Sequence, residues 1–129
     1  MLSIGGAVAQ NSLNTWQQNV ASVCGLLGPI AVPKDSVSVA IVGMMYGNPG
    51  AGTTGITLAI YRGASAAGVL LELITLPGVV AGATLGWTMM AVDSLLTQAT
   101  VQYALVATGT GMSGAGAFNT CTLAAIFMQ

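Results

Sequence analysis

Hydrophobic and polar positions alternate in short bursts along most of this chain. In 36–43, Val37, Val39 and Ile41 fall on one side while Ser36, Ser38 and Ala40 fall on the other, the period of two of a half-buried strand. The stretch 56–61 alternates in the same way. Residues 62–68 supply a turn, and 69–76 reads as the hairpin partner, closed by Pro77-Gly78. Stretches 84–92, 101–107 and 120–128 complete six strong strands, with weaker ones near Ile30 and nearer the start. In the last of them Leu123, Ala125 and Phe127 alternate with Thr122, Ala124 and Ile126, which suits one core face and one subunit-facing side. Leu123, Ala125 and Phe127 are the candidate oligomer-interface residues.

From Pro29 onward no helix-length amphipathic pattern occurs, and the runs are punctuated by Gly, Pro, Asn and Ser as in a sandwich or barrel. Residues 1–28 differ, with a polar cluster over 10–19 and no clean period of either kind. The expected organisation is an all-β protein: an N-terminal extended arm, 1–28, followed by an antiparallel β-sandwich, jelly-roll-like, over 29–129. A length of 129 residues suits one such domain.

Charge changes the picture most. Lys34, Asp35, Arg62, Glu72 and Asp93 are the only charged side chains, 4% of the sequence, against about 25% in ordinary soluble domains. Hydrophobic residues make up 54% and mean hydropathy is +0.83. A monomer so poor in charge exposes contiguous apolar patches and self-associates, so burial against neighbouring subunits is expected. A membrane is the rival explanation. However, the uncharged stretch 73–92 carries Pro77 and several glycines, and Gly109, Gly111, Gly114 and Gly116 break the last one, unlike a spanning helix. Seven aromatic residues are too few for the girdles of a transmembrane barrel. No membrane partner is therefore expected. The start lacks a basic n-region and has a very short apolar run, so synthesis in the cytoplasm without a cleaved signal is expected. On that footing Cys24 and Cys121 read as free, buried thiols.

The chemistry is sparse. With no histidine, the usual general base, the commonest transition-metal ligand and the Ser-His and Cys-His pairs are all missing. Asp35, Glu72 and Asp93 show no spacing of a glycosidase pair or a cation cage. The run 47–54 has phosphate-loop glycine spacing but lacks the lysine and leads into a strand. Gly109-Thr-Gly-Met-Ser-Gly114 matches a dinucleotide fingerprint in letters, yet no helix or downstream acid follows it. Two basic residues cannot neutralise many phosphates, so no nucleic-acid partner is expected. No catalytic residue, cofactor or metal site is assigned, and the chain is expected not to be an enzyme. Met44-Met45 and Met89-Met90 each straddle both faces of a strand, leaving at most one of each pair for an interface. Arg62 has Glu72 or Asp93 as its candidate ion-pair partner.

The stretches 28–43, 56–63, 91–93, 103–107 and 123–127 together resemble the small single-jelly-roll modules of tailed-phage virions, which are similar in fold to tumour-necrosis-factor heads. The resemblance covers about residues 28–129. It implies a homotrimer packed through one sheet of each sandwich, serving as a capsid decoration protein that stabilises the phage head. The runner-up is a tail-fibre or spike tip that binds a host surface, and the third reading is a small viral coat protein. Its partners would be itself and the major capsid protein or other virion subunits. The arm would then anchor the module by strand addition to a shell subunit, with Trp16, Leu26 and Leu27 as its apolar contacts.

Overall fold

The computed structural model describes residues 2–3, 9–10, 15–16, 21–48, 50–77, 85–94, 99–111 and 116–128; side chains are described from residue 21 onward, except at 77, 85 and 117–120. The described residues form ten strands: β1 (Leu2–Ser3), β2 (Ala9–Gln10), β3 (Thr15–Trp16), β4 (Ser22–Ala31), β5 (Ser38–Asn48), β6 (Gly55–Arg62), β7 (Val69–Pro77), β8 (Leu85–Asp93), β9 (Thr100–Thr110) and β10 (Gly116–Met128). One sheet has the order β1-β10-β5-β8, with β2 and β3 also on β10; the other has the order β4-β9-β6-β7. Every pairing is antiparallel. From β4 onward only β6 and β7 are joined as a hairpin within one sheet, and every other connection crosses to the facing sheet. This is a jelly roll, as the alternation and turn spacing predict.

The period of two builds the core. Val39, Ile41 and Met45 of β5 point inward with Met89 and Ala91 of β8 and with Cys121, Leu123, Ala125 and Phe127 of β10. They meet Cys24 and Leu27 of β4, Ile56, Leu58 and Ile60 of β6, and Val101, Tyr103, Leu105 and Ala107 of β9. Fully burying a large aliphatic or aromatic side chain of this kind contributes roughly 1.5–3 kcal/mol, so this double layer is what holds the sheets together.

Several sequence expectations change here. Leu123, Ala125 and Phe127 are 0%, 1% and 0% exposed and belong to the core, not to an oligomer interface. They are the bulkier set of that strand's alternation, and the gap between the sheets takes the bulk. The boundary at 28 falls inside β4, because 22–31 is a full strand paired to β9. Leu27 is 1% exposed and therefore a core residue, whereas Leu26, on the other face, is 38% exposed. Trp16 pairs through its backbone with Gly116, while its side chain lies outside the described ones. In their described residues β1, β2 and β3 add to the edge of their own chain's β10, the strand addition expected for a shell neighbour.

Glycine is required at position 28. Its φ is +106°, and a Cβ there would stand 2.8 Å from the Val101 carbonyl oxygen, where the β4–β9 register shifts between Leu27 and Ile30. Gly28 and Pro29 are joined by a cis peptide bond.

Candidate assembly surface

The outer face of the β10 sheet can be built row by row from its register. Ile126, Ala40 and Val92 lie side by side on β10, β5 and β8; Ala124, Val42 and Met90 form the next row, and Thr122, Met44 and Thr88 the one after, with Tyr46 beside Gly86 beyond it. None of these side chains is charged. Met44 and Tyr46 are each 51% exposed, Met90 61% and Val92 55%. Trp87 and Thr88 join Met44, Met45, Tyr46, Gly86 and Thr122 around a cleft of about 160 Å³ in this face. The methionine pairs divide as their position on a strand requires, with Met45 and Met89 in the core and Met44 and Met90 outside.

The five charges are placed elsewhere. Asp93, 2% exposed, sits at the end of β8, and its Oδ2 lies 3.4 Å from Arg62 Nε of β6 and accepts a hydrogen bond from Tyr103 Oη of β9 at 3.1 Å. Asp93 belongs to one sheet and its two partners to the other, so the cluster is a polar clamp across the sandwich. Burial first, and then the Asp93 carboxylate beside it, push the Tyr103 phenol well above its usual value. Of the two candidates, Arg62 therefore takes Asp93; Glu72 stands opposite Ile60, whereas Arg62 stands opposite Val69. Lys34, Asp35 and Glu72 are left as the exposed charged side chains. All three lie off the β10-β5-β8 face, on the 32–37 connection and on β7. The surface is thus poorer in charge than the sequence itself suggests.

A second cleft, of about 350 Å³, opens beside Arg62 and is lined by Pro29, Gly63, Val69, Thr100, Val101 and Gln102. Its lining carries one ionisable side chain, Arg62, already set against Asp93. Such a cleft offers no acid–base pair. Among the described residues no three His, Cys, Asp or Glu side chains gather to hold a metal ion, and no helix is long and apolar enough to cross a membrane.

No protein-family model matches this sequence, and no curated protein sequence matches it. Solved structures do match in fold. The VP2 protein of infectious bursal disease virus, in derived T=1 particles, superposes with a TM-score of 0.58 at 12% identity, covering 94% of this chain and 31% of that one. A structure of the Gt strain of the same virus gives 0.59 at 12% identity, covering 94% and 33%. The Eiger tumour-necrosis-factor protein of S. frugiperda gives 0.58 at 9% identity, covering 97% of this chain and 93% of that one. The chain thus spans about a third of the virus chains and nearly all of the tumour-necrosis-factor one. At these identities the likeness is one of fold: the protein is an all-β antiparallel sandwich with the jelly-roll architecture found in virus particles and tumour-necrosis-factor proteins.

Proposed function

We propose that this protein is a non-enzymatic structural module of a virion, which assembles into a homotrimer through the outer face of its β10 sheet and decorates a capsid. The observation that carries the reading is the face itself: three adjacent strands whose outward side chains are all uncharged, with Met44, Tyr46, Met90 and Val92 half exposed or more. A contiguous apolar face of this kind costs solubility in a monomer and gains free energy when a second copy covers it. Methionine suits such a contact because its unbranched thioether adapts to the opposing surface. The jelly-roll likeness to virus-particle chains supports the setting, and the absence of histidine from the sequence supports a role without chemistry. The mechanism is adhesive: each bound trimer holds neighbouring shell subunits together and stabilises them by mass action.

The same likeness favours a second reading, a coat protein that builds the shell itself. Expression of the chain alone, followed by light scattering and electron microscopy, separates the two. A discrete particle of three chains supports decoration, and closed shells support the coat. A monomer that stays soluble at high concentration overturns both.

A further inference from the structure

The β4–β9 ladder contains an irregularity: Val23 pairs with Val106 and Gly25 with Leu105, so Cys24 is the extra residue of a β-bulge. A bulge breaks the alternation of a strand and re-aims one side chain. Here it turns two successive residues inward, Cys24 and Gly25, both of them buried. Gly25 leaves the space open, since a Cβ placed on it would stand 3.6 Å from Cys121 Cβ and 3.5 Å from Leu105 Cβ. Cys121 projects into the same space from β10 in the facing sheet. Both cysteines are 0% exposed and free, and Cys121 is close enough to Cys24 to perturb its thiol.

We propose that Cys24 and Cys121 form a cross-linking site, where a peroxide joins the two sheets through one disulfide. In the first step one thiol sulfur takes an oxygen atom from hydrogen peroxide, giving a sulfenic acid and one water. In the second, the other sulfur attacks the sulfenic sulfur; the S–S bond forms, the S–O bond breaks, and the departing hydroxide leaves as water with the second thiol's proton. Two thiols and one peroxide become one disulfide and two waters. The neighbouring Cys121 thiol, and then burial, raise the Cys24 thiol far above its usual value, which leaves little Cys24 thiolate and makes its reaction with any electrophile, peroxide included, slow.

The test is intact-mass analysis of the full-length folded protein under non-reducing conditions, before and after hydrogen peroxide, with peptide mapping. The expected product is lighter by about 2 Da and yields a peptide joining Cys24 to Cys121. Closing a loop of roughly 100 residues should also raise its melting midpoint by roughly 10 °C over the reduced protein. The Cys121→Ala chain should give no such product. Thiols that stay free, sulfinic acid on either cysteine, or disulfides between chains would each overturn the proposal.

Discussion

Tyr103 and Asp93 meet across the two sheets, Oη to Oδ2 at 3.1 Å, although only ten positions separate them in sequence. The connection between β8 and β9 therefore crosses the sandwich and is tied at its root by residues near its own ends. Both side chains are buried, so the bond belongs to the interior and is not a surface ornament. Tyr103→Phe keeps the ring and removes the donor, leaving the buried carboxylate one partner short. The expected loss is about 1–3 kcal/mol in a urea titration. An unchanged midpoint would mean that the remaining partners of Asp93 satisfy it without the phenol.

The same phenol sets an alkaline limit. Its value is raised in the folded protein, so the folded state holds its proton more tightly than the unfolded chain, which releases it near pH 10. Stability from this group is complete below about pH 10 and falls as pH rises above it. Melting midpoints measured between pH 8 and pH 11 should drop at the top of that range, and the Tyr103→Phe chain should drop less. Phenolate absorbance from Tyr103 should appear only together with unfolding.

Met90 and Val42 are neighbours in the middle row of the uncharged face. Met90→Lys places an ammonium where a second copy would have to desolvate it, without touching the core beneath. Light scattering should report monomers where the parent chain is oligomeric, with the melting midpoint of the sandwich shifted by far less than a core substitution would shift it. An oligomer that survives Met90→Lys would place the contact elsewhere, and the exposed Val69, Leu70 and Leu73 of β7 would be next to test.

Gly28→Ala introduces a methyl group against the Val101 carbonyl at a φ of +106°. The expected cost is about 1–3 kcal/mol, read by denaturant titration. Gly55, which has an ordinary φ and only a 3.6 Å contact to the Leu76 carbonyl, serves as the control and should tolerate alanine far better.

Most of this architecture was legible in the residue pattern. The six strong strands all exist, because alternation of apolar and polar residues is imposed directly by the pleat. Strand β5 runs to Asn48, where the Gly47-Asn-Pro-Gly50 break in the sequence predicts its end, and it is held by β8 and β10 on either side. Strand β4 was legible only as a weak signal near Ile30, for its bulge and its Gly-Pro step disturb the period. The candidate interface residues of β10 were assigned to the wrong side of the strand for a different reason. In β10 both sides are apolar, and periodicity states that two faces exist without stating which one looks inward. Leu123, Ala125 and Phe127 proved to be the inner set. The buried Arg62–Asp93 contact was one of two options in sequence, and only the register chose between them.

The pairing of Leu2 with Met128 has a temporal consequence. Residues very far apart in sequence are adjacent in one sheet, and β10 lies between β5 and the short strands β1, β2 and β3. On a ribosome, Leu2 must wait for Met128, which is made long after it. Folding of this sheet is then a late event dominated by distant contacts, which makes it slow relative to a helical protein of equal size. During that wait the apolar strands already made are exposed together, so yield in a cell should depend strongly on expression rate and temperature.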